Sequence, residues 1–467
     1  MNLLDTLKVI GPGIILLGVG IGSGEWVLGP AAAVKYGPSI LWIATVAIIV
    51  QILALLEAVR YTMYTGEPIT TGLMRLWPGP RFWGFVILVL LVLSLGWPAW
   101  AFGASTAIVA AYLGRLPGPA DASLVLSVGF ILALLAIAML SVGGRVVRLL
   151  EIVQWVMVVF VFAALLILVA LVVPPGVLVD TARGFLDFGK LPGDTDILAA
   201  ALLLGAVAGY AGLGAFGNTV VSSYYRDKGI GMGALVGAIP TLIGGAKITL
   251  SPVGVVFRVN EDNLNKWRAW RRVALIDIVG VFGVGAFIGM LLPAALAIAL
   301  IPIGTDIGGF RVAAYQGEEL RKLLGLAGWA LVLIMGFWVL YSTQLGIVEL
   351  VTRTATDVLW YMGLVRRIAG NDVRRVYYAI LLILVLWVIV AFTLYNVYKV
   401  NPLLAVALIA NMSNLVWPLT ALGNIYLNLK YLPREIRPSP LIVAGILVGV
   451  VFWIAFFAFF IASLILR

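Results

Sequence analysis

The chain has 467 residues, of which 63% are hydrophobic and 11% are charged, and its mean hydropathy is +1.12. Soluble domains are about 45–50% apolar and about 25% charged, so this composition excludes a soluble globule and indicates an all-α polytopic membrane protein. The absence of cysteine and histidine excludes disulfides and Cys/His zinc sites. The net charge of +10 comes without a basic stripe or a soluble domain, which argues against nucleic-acid binding.

Eleven apolar segments are long enough to cross a bilayer, since a span needs about 20 apolar residues. Spans 1 to 11 are residues 9–34, 38–62, 82–113, 122–142, 149–173, 196–222, 274–301, 325–351, 375–398, 402–428 and 440–465. No small-residue cleavage site separates span 1 from span 2, so span 1 is predicted to be a retained helix and not a signal peptide.

Span 1 and span 6 differ from ordinary membrane spans in their glycine content. Residues 18–24 contain four glycines and are followed by Glu25, and residues 205–217 contain five glycines and are followed by Asn218. Each glycine lowers helix stability by about 1 kcal/mol relative to alanine. Two such clusters at matching depth predict two broken helices that meet in a transporter site. The alternative is close helix packing through small residues.

Glu25 is the most informative single residue, because a carboxylate at mid-bilayer is costly, by about 2.5–3.5 kcal/mol on insertion scales. It is predicted to act as a cation ligand, a proton carrier or both. The alternative is a structural carboxyl bonded to backbone amides of the other broken helix. By contrast, Glu57 with Arg60 and Glu349 with Arg353 have helical spacings typical of ordinary ion pairs.

Segment 223–273 is the largest piece predicted to lie outside the membrane. Residues 247–259 alternate β-branched residues around a turn signal, which predicts a short hairpin. Trp267 and Trp270 beside basic residues are typical of a helix on the membrane surface. Lysines and arginines favour cytoplasmic loops, and 22 of the 31 lie inside if the N-terminus is cytoplasmic. With eleven spans, the C-terminus is then extracytoplasmic.

Short patches resemble the NRAMP family of divalent-metal transporters. The opening of that family's first span reads Gly-Pro-Gly, eight apolar residues, Asp-Pro-Gly-Asn and Trp. This chain is similar there: it has Gly-Pro-Gly at residues 11–13, then eight residues, then Gly-Ser-Gly-Glu-Trp at residues 22–26. Residues 51–66 resemble its second span, and 148–151 the start of its fifth. The resemblance covers most of the first ten spans.

The resemblance implies a LeuT-like secondary transporter that works by alternating access. Its two five-span inverted repeats would be about residues 9–173 and 196–428, with an extra helix at about 440–465. Spans 1 and 6, both broken, would rock against a scaffold of spans 3, 4, 8 and 9. The bilayer and a small solute or metal ion are the expected partners, no resident cofactor is expected, and a monomer is compatible with this mechanism.

The family's ligand residues are carried over position by position. Its metal-binding Asp corresponds to Gly22 and its Asn to Glu25, and its Met-Pro-His-Asn resembles residues 215–218 (Ala-Phe-Gly-Asn). The thioether that favours transition metals is missing, which favours a hard cation such as Mg²⁺ or Ca²⁺. The predicted metal ligands are Glu25, Asn218 and the carbonyls of Gly22 and Ala215. The wider predicted site adds Ser23 and Gly217, with support from Gln344, Asn411 and Asn414.

A small organic solute, an amine or amino acid, remains an alternative substrate for the same site. The N-terminus of the second half of span 6 would then bind a carboxylate. An intramembrane enzyme is disfavoured, because the sequence has no His, no Cys, no GxSxG and no HExxH. A structural or receptor role without transport stays open.

Overall fold

The computed structural model describes residues 11–141, 146–191, 197–239, 250–251, 253–307, 314–363, 365–366 and 368–466. All regular structure within them is helical. The membrane helices are α1 (Pro12–Tyr36), α2 (Pro38–Thr65), α3 (Pro80–Leu113), α4 (Pro119–Met139), α5 (Val146–Val172), α6a (Ile197–Tyr210), α6b (Gly217–Asp227), α7 (Glu261–Leu300), α8 (Gly317–Met362), α9 (Val373–Tyr398), α10 (Pro402–Tyr431) and α11 (Pro440–Ile465). Short helices at Ile69–Leu73 and Pro175–Gly184 lie in connections.

The predicted all-α membrane architecture is confirmed. Ten helices in the described chain are long and apolar enough to cross a membrane, and the shorter apolar α6a belongs to the remaining span. α1 is buried along its whole apolar stretch, whereas only 22% of the corresponding residues in α11 are buried. α1 is therefore the central helix, and α11 lies at the lipid-facing periphery.

α1 remains helical through its glycine cluster. Its middle part, Ile21–Leu28, is a π-helix between α-helical ends at Pro12–Gly20 and Gly29–Tyr36. The prediction that span 1 is broken is therefore wrong. Its glycines allow close packing instead, since a Cβ on Gly22 would lie 1.8 Å from Thr343 Oγ1. The wide π turn keeps the backbone hydrogen-bonded and carries Glu25.

The predicted break in span 6 is confirmed. α6a ends at Tyr210 and α6b begins at Gly217, and between them the chain takes positive φ at Gly212 (90°) and at Phe216 (59°). Glycine adopts this conformation without steric penalty. The break leaves backbone N–H and carbonyl groups without helical partners in the middle of the protein.

Segment 223–273 is more helical than predicted. α6b extends to Asp227, and α7 begins at Glu261, where the Asn260 side chain accepts a 2.9 Å hydrogen bond from the N–H of Asn263. This cap, with two acidic residues in the first turn, starts the helix well before its apolar part. Residues 247–249 and 252 of the predicted hairpin lie outside the described residues, and its described residues form no strand.

Candidate functional site

The π-helical part of α1 packs directly against the break in α6. Glu25 Oε1 accepts a 2.8 Å hydrogen bond from the N–H of Gly212. A Cβ on Gly20 would lie 1.9 Å from the Gly212 carbonyl oxygen, and one on Gly24 would lie 2.0 Å from that of Tyr210. Only glycine allows these backbones to approach so closely, so the glycines of span 1 position Glu25 at the break.

Glu25 is fully buried and only half satisfied. Its second oxygen, Oε2, has no hydrogen-bond partner among the described residues. The side chain points between the α6 break and α7, because a Cβ on Gly289 would lie 3.6 Å from Glu25 Cγ. Oε1 thus has the structural role, a bond to a backbone amide of the broken helix. Oε2 is a buried acceptor free for a proton or a cation.

A small cavity, called here the central cavity, lies beside the π-helix. It is lined by Val19, Gly20, Ser23, Trp100, Tyr210, Gly214, Thr343 and Ile347. It is narrow in this conformation, with room for about one water molecule. The described lining contains two aromatic rings and three hydroxyl groups, those of Ser23, Thr343 and Tyr210, but no carboxylate.

The two aromatic rings form one wall of the central cavity. Trp100 and Tyr210 stack with centroids 5.9 Å apart. The Tyr210 hydroxyl donates to the Ser94 carbonyl at 2.7 Å, which fixes the ring. The indole N–H of Trp100 is buried and has no partner among the described residues. Buried donors are normally bonded, so this group is available to a bound molecule.

Amide side chains hold the broken helix from outside. Gln51 of α2 donates to the Ala211 carbonyl at 2.8 Å, and Asn411 and Asn414 of α10 donate to the carbonyls of Leu202 and Gly205, both at 2.8 Å. Asn411 and Asn414 therefore contact α6a itself.

The remaining predicted site residues are distributed around the break. The N–H of Ala215 donates to Ser413 Oγ at 3.2 Å, and the Asn218 amide donates to Thr420 Oγ1 at 2.9 Å. Gly217 is the first residue of α6b, and the side-chain Oε1 of Gln344 accepts from the N–H of Ala101 at 3.1 Å.

Only some of the predicted residues are adjacent to one another. Ser23 lines the central cavity and Glu25 does not, and no described contact joins Glu25 to Asn218 or Ala215. Within the described part of the chain, no three acidic side chains converge in a metal-binding group. Sequence analysis missed Trp100, Tyr210 and Thr343, because an aromatic or threonine residue inside an apolar span carries no distinctive signal.

A buried network of charges joins α6b to α8. Arg226 pairs with Asp357 at 2.6 Å and with Asp227 at 2.7 Å, and Arg353 pairs with Asp227 and with Glu349. The Tyr224 hydroxyl donates to Glu349 at 2.6 Å. The predicted pair of Glu349 with Arg353 is confirmed, and so is that of Glu57 with Arg60 at 2.9 Å.

The start of α1 is fastened at the same end of the molecule. The N–H groups of Gly11 and Gly13 donate to Asp277 of α7 at 3.2 and 2.9 Å, and Tyr225 of α6b donates to the same carboxylate at 2.9 Å. Lys228 pairs with Glu151 of α5 at 2.7 Å. These contacts close one end of the bundle around α1 and α6b.

Comparison with known proteins identifies the fold. No protein-family model and no curated protein matches the chain. Among solved structures, a manganese transporter from Eremococcus coleocola is similar over 99% of this chain and 95% of its own, with a TM-score of 0.59 and 13% identity. The chain has the fold of that transporter.

Two further structures share this fold. MhsT, solved in complex with L-phenylalanine, aligns over 96% of this chain and 98% of its own, with a TM-score of 0.55 and 13% identity. Mhp1, a nucleobase-cation-symport-1 family transporter solved with bromovinylhydantoin bound, aligns over 98% and 91%, with a TM-score of 0.54 and 12% identity. The LeuT-like, NRAMP-like fold predicted from the sequence is confirmed.

Proposed function

We propose that this protein is a secondary transporter that carries a small organic solute through the central cavity by alternating access. The observation that carries the proposal is the cavity itself, which lies between the π-helical part of α1 and the break in α6 and is lined by Trp100, Tyr210, Ser23 and Thr343. Structural neighbours with the same fold include a protein bound to L-phenylalanine and one bound to a hydantoin.

The chemistry of the lining favours an organic molecule over an ion. The rings of Trp100 and Tyr210 offer apolar surface, while the hydroxyl of Ser23 and the unpartnered indole N–H of Trp100 offer hydrogen bonds. Gly214 lines the cavity and lies a few residues before Gly217, where α6b begins. At that N-terminus the helix dipole favours an anionic group. We infer an amino acid or a similar small solute whose carboxylate lies at that helix end.

A divalent cation such as Mg²⁺ or Ca²⁺ is the second candidate substrate. The unpartnered oxygens of Glu25 and Asn218, both fully buried, favour it. Two facts weigh against it: Glu25 Oε1 already accepts from an amide N–H, and the described contacts bring no second carboxylate to Glu25. Mg²⁺ and Ca²⁺ take six or more oxygen ligands, so this set would need several waters.

We further propose that the conformation described here is closed on the cytoplasmic side. The basic residues predicted to be cytoplasmic include those of the buried network between α6b and α8, which seals that end. At the opposite end, an open pocket of about 600 Å³ lies between the end of α7 and the start of α8 and is lined by Asp306, Glu318 and Tyr315, among others. In this orientation the N-terminus is cytoplasmic and the C-terminus extracytoplasmic.

Binding measurements on Trp100 variants test the substrate class. We expect calorimetry on the purified protein to detect an amino acid or related solute, and Trp100→Ala to weaken its binding by at least about tenfold, since burial of a large side chain contributes about 1.5–3 kcal/mol. Trp338→Ala is the matched control, because Trp338 is 38% exposed on α8 and does not line the central cavity.

Binding and uptake measurements also distinguish the two candidate substrates. If the solute is organic, divalent cations produce no heat and no uptake into proteoliposomes, and Trp100→Ala reduces solute uptake. Uptake of Mg²⁺ or Ca²⁺ that is lost in Glu25→Gln, with no response to any organic solute, would instead establish the cation candidate.

A further inference from the structure

A second cavity lies away from the α1–α6 contact, at one end of α2, α7 and α11. It is partly open to the outside and is lined on α2 by Leu56 and Arg60, on α7 by Trp267 and Arg271, and on α11 by Ile442. We call it the α2–α7–α11 groove. Arg60 lies near the C-terminal end of α2, and Ile442 near the start of α11. The groove therefore opens at the level where these helices leave the apolar core.

The polar end of the groove carries one positive charge in excess. Glu57 is buried and is neutralised by Arg60 at 2.9 Å, and it also accepts from the Asn428 amide at 2.7 Å. Arg271 has no ion-pair partner among the described residues, and its guanidinium lies within electrostatic range of both Arg60 and Glu57. A single anionic group at this end would balance Arg271.

The other wall of the groove is apolar and faces the bilayer. Leu56 and Ile442 are half-buried, and Leu275 is 40% exposed on the same side. Trp267, only 5% exposed, forms the inner wall. An aqueous anion would satisfy Arg271 but leave this apolar surface uncovered. A molecule with a charged head and a long apolar tail satisfies both parts.

We propose that the α2–α7–α11 groove binds one anionic phospholipid. Its phosphate contacts Arg271 beside the Arg60–Glu57 pair, and an acyl chain lies along Leu56 and Ile442. Basic pockets between membrane helices attract anionic headgroups in this way. The inference is independent of the transported substrate, because the groove shares no lining residue with the central cavity.

Lipid-dependent melting of the full-length protein in detergent tests the site. Phosphatidylglycerol is titrated into wild type, Arg271→Gln and the matched control Arg272→Gln, which removes the same charge from the next residue, one that does not line the groove. We expect phosphatidylglycerol to raise the melting temperature of wild type and of Arg272→Gln equally. The half-saturating concentration should rise about fivefold in Arg271→Gln, the effect of one basic residue near an anionic surface.

Three outcomes would overturn the proposal. An equal rise of the half-saturating concentration in the two arginine variants would indicate a diffuse charge effect. A rise in melting temperature with phosphatidylcholine equal to that with phosphatidylglycerol would indicate simple apolar filling. An equal rise with inorganic phosphate would indicate a free anion. A second variant, Leu56→Trp, fills the apolar part without changing the charge. Provided that it melts like wild type without added lipid, it should weaken the response to phosphatidylglycerol, and an unchanged response would place the lipid elsewhere.

Discussion

Alanine at Gly24 is expected to abolish transport and to destabilise the protein. The added Cβ would lie 2.0 Å from the Tyr210 carbonyl oxygen and 2.8 Å from its carbon, both backbone atoms that end α6a. Overpacking in a tight core costs about 1–3 kcal/mol, and we expect the upper end of that range here because no flexible side chain can give way. Uptake into proteoliposomes and thermal melting in detergent measure the two effects.

Gly280→Ala is the matched control for this substitution. Gly280 also lies in a π-helical part of a membrane helix, α7, but a Cβ there would meet nothing within 4 Å. Alanine is the better helix former, so this variant should melt at or above the wild-type temperature and transport normally. If Gly24→Ala behaves like Gly280→Ala, the close contact between α1 and the α6 break is not part of the working structure.

Removal of the Arg353 guanidinium is expected to open the cytoplasmic side. In Arg353→Met, Glu349 keeps only the Tyr224 hydroxyl, and Asp227 keeps Arg226 and a 3.3 Å hydrogen bond from the N–H of Ile239. Breaking a buried ion pair by removing one partner costs about 3–5 kcal/mol, because it leaves an uncompensated buried charge. Because Arg353 joins α8 to α6b, this cost falls on the closed conformation, and the protein should spend more time open to the cytoplasm.

Two comparisons test this explanation of the Arg353 effect. Arg353→Met combined with Glu349→Leu removes the stranded carboxylate and should regain part of the lost stability, as replacing both members of a buried pair often does. Arg374→Gln removes an arginine whose pair with Asp372 is partly exposed, and it should leave melting and transport unchanged. No recovery in the double variant would show that stranded charge is not the cause.

Sequence patterns predicted those parts of the fold that depend on composition along a single helix. Apolar runs predicted the spans, and the helical spacing of Glu349 and Arg353 predicted their ion pair. The glycines near Gly212 predicted the break in α6, because a residue at φ 90° requires glycine. These signals are local, so they can be detected without knowledge of neighbouring helices.

Features that depend on contacts between helices were not predictable. The glycines of α1 have the same local signature as those of α6, yet they serve close packing, because Gly212 and Thr343 approach them from other helices. Nothing in the sequence around Trp100 or Tyr210 indicates that the two rings stack beside a cavity. The sequence predicted a surface helix around Trp267 and Trp270 but not its continuation into the apolar part of α7, because its first turns are polar.

Thiol labelling at position 23 tests the central claim that the cavity between α1 and the α6 break is a substrate site with alternating access. The chain has no cysteine, so Ser23→Cys introduces a single reporter. In oriented proteoliposomes, we predict that a membrane-impermeant thiol reagent reacts from the extracytoplasmic side only, and that Arg353→Met shifts the reaction to the cytoplasmic side. No reaction from either side in both proteins, or equal reaction from both sides in each, would contradict the account.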